Sequence, residues 1–103
     1  MKDIKLSKIL GSKCIEIHTG NISNQIKQNK NYFKEFNKIK KCATYAKNIG
    51  LEVHAGHGMD YKTTRILNKI KQIEEFNIGH FIIGESVLHG ISKVVKKFNN
   101  ILR

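Results

Sequence analysis

Apolar positions recur along the chain at two spacings and divide it into alternating segments. Ile4, Leu6, Ile9 and Leu10 lie in a first segment, 3–10, that reads as the end of a helix stopped by Gly11. In 13–18, Ile15 and Ile17 fall on one face and Cys14, Glu16 and His18 on the other, the period-two signature of a short strand. Thr19-Gly20 ends it, and a polar loop is predicted through about Asn29. Over 31–49, Phe33, Phe36, Ile39, Ala43 and Ala46 recur every third or fourth position. That predicts a helix with one apolar stripe, with Gly50 as its natural C-terminal stop.

The pattern then repeats. Leu51-Glu52-Val53-His54 reads as a second strand running into the glycine-rich turn Ala55-Gly56-His57-Gly58. A shorter helix is expected over 62–73, burying Ile66, Leu67 and Ile70, and a third strand within 76–83, a stretch that includes Gly79-His80. Gly84 and Glu85-Ser86 are expected to open one last helix, in which Val87, Leu88, Ile91, Val94, Val95, Phe98, Ile101 and Leu102 repeat at helical spacing. A helix followed by three strand–helix units predicts an α/β fold with parallel strands and right-handed crossovers. The sheet could be open or part of a closed barrel. A complete eight-stranded barrel takes about 200 residues or more, and three units are less than half of one.

Composition narrows the function classes. A chain of 103 residues with 40% hydrophobic positions is expected to fold as a single globular unit around a small core. It has no apolar run of about 18 residues and no apolar segment behind its first residues, so a cytoplasmic location without membrane contact is expected. Cys14 and Cys42 form no CxxC pair and are too few for a disulfide framework, so both are read as reduced. The net charge of +11 suits either nucleic acid or phosphorylated metabolites. The lysines are dispersed, proline is absent, and no helix-turn-helix, zinc-finger or aromatic-stacking motif is present, so no nucleic-acid partner is expected.

In α/β proteins ligands lie beyond the C-terminal ends of the strands. The candidates there are Glu16 and His18, His57 within Gly56-His57-Gly58, and Gly79-His80. A carboxylate in an otherwise apolar strand is costly unless paired, so Glu16 is either functional or half of a structural ion pair. His18 could serve chemistry or hydrogen-bond internally. His57 sits between glycines that let a ligand approach the backbone, and an imidazole can carry protons near neutrality; a plain turn histidine is the alternative. Gly56, Gly58, Gly79 and Gly84 suggest anion binding by backbone N–H groups, although no GxxxxGK[ST] loop is present. His54 and His57 form HxxH, a spacing too weak by itself to predict a metal. His89 reads as a surface or packing residue.

Three stretches, Ile15-Glu16-Ile17-His18-Thr19-Gly20, Ala55-Gly56-His57-Gly58 and Asn77-Ile78-Gly79-His80-Phe81-Ile82-Ile83-Gly84, resemble signature segments of the pyridoxine 5′-phosphate synthase family, in that family's order. The resemblance implies a TIM-type (β/α) barrel, of which 1–103 would be a single truncated segment, about the last three strand–helix units. It implies a transferase-type enzyme of vitamin B6 (pyridoxal phosphate) biosynthesis. Such an enzyme condenses 1-deoxy-D-xylulose 5-phosphate with 3-amino-2-oxopropyl phosphate to pyridoxine 5′-phosphate, inorganic phosphate and water, without metal or cofactor. Glu16 then corresponds to a glutamate that stabilises charged transition states, His57 to a proton donor, and Gly58, Gly79 and His80 to residues holding the aminoketone phosphate.

Two local departures stand out. Asn21-Ile22-Ser23 replaces the family's usual Tyr-Ala after HTG, and His54 stands where Asn is common. The family's N-terminal half, with another catalytic histidine and glutamate, has no counterpart here. The resemblance therefore implies a chain inactive alone, with open strand edges and a bare apolar sheet face, partnered by further copies of itself or by a complementary N-terminal half. The competing expectations are a non-catalytic phosphate-metabolite-binding half-barrel and, less favoured, a basic nucleic-acid-binding protein.

Overall fold

The computed structural model describes residues 2–102. Helix α1 (Lys2–Ile9) leads into strand β1 (Cys14–His18), helices α2 (Gly20–Lys27) and α3 (Phe33–Asn48), and strand β2 (Glu52–Gly56). Helix α4 (Tyr61–Leu67), strand β3 (Glu75–Asn77), and helices α5 (His80–His89) and α6 (Ile91–Leu102) complete the order. The three strands form one parallel sheet in the order β1-β2-β3, an α/β architecture. Gly11 and Gly50 follow α1 and α3 at φ of +92° and +87°, the left-handed geometry that ends a helix and that glycine adopts without steric cost.

The core lies on one side of the sheet. Val53 and Ala55 of β2 pack with Ile39, Ala43 and Ala46 of α3, Ile22 and Ile26 of α2, and Met59, Leu67 and Ile70 around α4. Strand alternation sends Cys14, Glu16, His18, Glu52, His54, Glu75 and Asn77 to the other side. The bare face is thus polar, not the apolar surface expected from the sequence.

Four further expectations need correction. The stretch after Gly20 is a helix rather than a polar loop: Ile22, Ser23 and Ile26 are buried at helical spacing, and two isoleucines one turn apart suffice to hold eight residues against the core. Phe33 is 66% exposed, because it lies in the first turn of α3, outside the core; the buried stripe begins at Phe36. The fourth helix stops at Leu67, and Ile70 is buried from the turn that follows it. The third strand ends at Asn77, so Gly79-His80 leaves the sheet and opens α5.

The final helix is also two helices, broken where Gly90 takes φ +83°. Helix α6 folds back on α4 and α5 through a small aromatic cluster. Tyr61 lies 4.9 Å from Phe81 and 4.7 Å from Phe98, with the Lys97 ammonium 4.1 Å above its ring. Desolvation in this cluster, with Glu85 nearby, raises the Tyr61 phenol above its ordinary pKa. No helix among the described residues is long and apolar enough to cross a membrane.

Ile22 is fully buried, so Ile22→Ala is expected to destabilise the fold by about 2–4 kcal/mol in urea denaturation. Asn24→Ala, on the exposed face of the same helix, is expected to change stability by less than about 0.5 kcal/mol. Equal effects would mean that 20–27 does not pack as a helix.

Candidate active site

Parallel register aligns the chemistry. His18 pairs with Gly56 across β1 and β2, and Gly56 pairs with Asn77 across β2 and β3, so the three strands end together. A cleft of about 700 Å³ opens at this edge, lined by Glu16, His18, Lys27, His57, Gly58, Asn77, Gly79 and His80, among others.

Glu16 projects from the polar face of β1 and reaches across β2, where the Asn77 amide donates to its carboxylate at 2.6 Å. The path exists because the intervening residue is Gly56: a Cβ there would stand 2.6 Å from the same carboxylate oxygen and 3.0 Å from the Asn77 carbonyl. The pairing partner is thus a neutral amide rather than a cation. A single neutral donor orients a carboxylate without cancelling its charge.

His57 holds φ +90°, a backbone region that costs a side-chain-bearing residue about 1–3 kcal/mol and therefore needs surrounding contacts to persist. Thr19 supplies them. Its hydroxyl is fully buried and lies 2.8 Å from both the Gly56 and His57 carbonyls, its one proton shared between them, while its backbone N–H donates to the Gly56 carbonyl. The His57 ring stacks on His18 with centroids 4.2 Å apart. The Gly20 N–H donates to His18 Nδ1 at 3.3 Å, so a neutral His18 ring carries its proton on Nε2. Small residues keep the turn tight. Ser23 donates to the Thr19 carbonyl at 2.7 Å, and a Cβ on Gly58 would come within 3.1 Å of Ser23.

The far wall is the start of α5. Gly79 precedes its first turn without a side-chain cap, so the leading backbone N–H groups are available to an anion in the cleft. The earlier end of β3 creates this site, since a strand continuing through His80 would have spent those groups on the sheet. Lys27, in the last turn of α2, adds a positive charge to the lining. Sequence reasoning missed Lys27 because it read 20–29 as a loop, and took Thr19 only as the end of a strand. The Ile22 and Ile26 spacing was the signal available for α2.

All five residues assigned to the site from sequence, Glu16, His57, Gly58, Gly79 and His80, line this one cleft, and His18 joins them. The HxxH pair separates: His57 stacks on His18, whereas His54 turns to Glu52 and Glu75. His89 sits at the end of α5 beside Glu85. Both cysteines are free.

At its strand ends this parallel α/β sheet gathers a carboxylate, three imidazoles and an uncapped helix start, groups whose chemistry suits an anionic ligand and proton transfer. Over residues 1–103 the chain matches the family described as pyridoxal phosphate biosynthesis protein PdxJ, and it belongs to that family. It is 60% identical over 98% of its length to a pyridoxine 5′-phosphate synthase of Pelagibacter ubique, covering 42% of that protein. Proteins of the same name from Sulfurihydrogenibium sp. and Ehrlichia canis are 46% and 37% identical, with 41% of each covered. The chain thus spans about two-fifths of the length of these relatives.

The bonds at Thr19 set the stability of the turn. Thr19→Val, which keeps the shape and removes the hydroxyl, is expected to cost about 1–3 kcal/mol in chemical denaturation. His57→Gly is expected to stabilise the chain by up to about 1 kcal/mol while removing the imidazole. A destabilised His57→Gly variant would show that the backbone there is not strained.

Proposed function

We propose that the cleft is the aminoketone-phosphate part of a pyridoxine 5′-phosphate synthase active site, carried on the last three strand–helix units of a (β/α) barrel. One observation carries the reading: Glu16 and His57 open onto the same cleft as Gly58, Gly79 and His80. The identity to named synthases across nearly the whole chain supports it.

The chemistry follows from the groups present. Joining 3-amino-2-oxopropyl phosphate to 1-deoxy-D-xylulose 5-phosphate requires an amine to add to a carbonyl and oxygen to leave as water. His57 serves as the proton donor to the departing oxygen. Glu16, oriented by the Asn77 amide, opposes positive charge developing on the nitrogen-bearing intermediate. Gly58, Gly79 and His80 hold the phosphate, with the first N–H groups of α5 as donors and Lys27 as an added charge. His18 stacks on His57 and fixes its ring orientation.

The substrates carry phosphate, which fits a net charge of +11 and a cytoplasmic enzyme. The edge of β1 and the polar sheet face have no covering element among the described residues, which supports a complementary N-terminal half or further copies of the chain as partners.

The test pairs this chain with a polypeptide equivalent to the part of the Pelagibacter relative that precedes the match. Pyridoxine 5′-phosphate is expected to form only when both are present, and Glu16→Gln or His57→Ala is expected to lower the rate by about 10²–10⁴-fold. Inorganic phosphate is expected to bind the chain alone and to bind Lys27→Ala several-fold more weakly. Phosphate binding that survives His57→Ala, with no product from any pairing, would support the non-catalytic half-barrel instead. Absence of both binding and product would overturn the assignment of the cleft.

A further inference from the structure

The polar sheet face carries a second cluster, toward the opposite ends of the strands. Glu52 and His54 are two residues apart on β2 and therefore share a face. The β2–β3 register sets Glu75 directly opposite His54. The three side chains converge: His54 Nε2 lies 3.2 Å from a Glu52 oxygen and 3.3 Å from a Glu75 oxygen, and all three donor atoms fall within 4.8 Å of one another. His54 is the residue that departs from the family's common asparagine, and the chemistry of the cleft makes no use of it.

The charge here runs against the rest of the molecule. In a chain with 19 basic and 8 acidic residues, two carboxylates share one imidazole. Among the described residues no lysine or arginine pairs with either of them, although Lys47 pairs with the adjacent Glu74. An Nε2–H cannot satisfy two carboxylates fully, because it carries one proton. A divalent cation can bind all three groups at once.

We propose that Glu52, His54 and Glu75 form a structural site for a divalent transition-metal ion, zinc being the best match, that fastens β3 to β2. Donor atoms held about 2.0–2.1 Å from a tetrahedral ion stand about 3.3 Å apart, which is the spacing found from His54 Nε2 to each carboxylate. Rotation of the half-exposed glutamates brings their oxygens to the same separation, and water fills the fourth position. The nitrogen donor selects zinc over magnesium, which prefers oxygen ligands throughout. The benefit falls on β3, whose three residues make it the shortest strand.

The experiment is calorimetric titration of the 103-residue chain with zinc chloride, with magnesium chloride as the control, together with thermal melts. One zinc per chain is expected, with a melting temperature that rises on addition. His54→Ala and Glu75→Gln are each expected to weaken zinc by at least tenfold and to abolish the rise, whereas His57→Ala, altered in the cleft, keeps both. Glu75→Gln is nearly isosteric at an exposed position, so it reports on binding even where His54→Ala fails to fold. The proposal is overturned by no saturable zinc binding below about 100 μM, by wild-type affinity in both variants, or by magnesium binding as tightly.

Discussion

The buried hydroxyl of Thr19 is the constraint on which the site depends. It joins the end of β1 to the carbonyls of Gly56 and His57 at the end of β2, and so holds His57 in a backbone conformation that the residue would not keep alone. The same residue begins α2, whose Ser23 bonds back to the Thr19 carbonyl and packs against Gly58. The stacking of His57 on His18 follows from this arrangement. Strain at the turn is thus held by the contacts of Thr19 to backbone carbonyls, none of which uses the His57 imidazole.

The two faces of the sheet do different work. Val53 and Ala55 face the helices and supply cohesion, while the alternate positions present carboxylates, imidazoles and an amide. Glycine decides how these polar groups meet. At Gly56 the absence of a side chain lets Glu16 cross β2 to Asn77, so the carboxylate is positioned by a neighbour on the third strand rather than the second. A single methyl group at that point would collide with the Glu16 carboxylate and displace it from Asn77. The polar face also explains how a three-stranded sheet with an uncovered side avoids exposing a large apolar surface.

Much of the fold was legible in the chain. The alternation of Ile15 and Ile17 against Glu16 and His18, and the stripe from Phe36 to Ala46, follow from the periods of strand and helix alone. The errors arose where local pattern was ambiguous. The run Phe81-Ile82-Ile83 has the composition of a buried strand, yet it lies in a helix, because β3 pairs with β2 only as far as Gly56 and the chain then leaves the sheet. Two isoleucines in a polar stretch were too sparse a signal for α2 until the core they enter was known. Gly90 splits an otherwise continuous helical pattern because its left-handed φ turns α6 back onto α4.

The candidate residues Glu16, His57, Gly58, Gly79 and His80 could be read from sequence because their types are unusual in their settings: a carboxylate in an apolar strand, an imidazole between glycines, a glycine before a histidine. Order along the chain also determined that they follow successive strands. Their convergence was decided by the tertiary structure alone, since register between parallel strands depends on pairings among residues some 20 to 40 positions apart. The neighbours that surround them, Thr19 beneath His57, Asn77 beside Glu16 and Lys27 at the cleft, are set by the same long-range pairing and packing. No local period encodes those contacts, and so they became visible only once the strands were brought side by side.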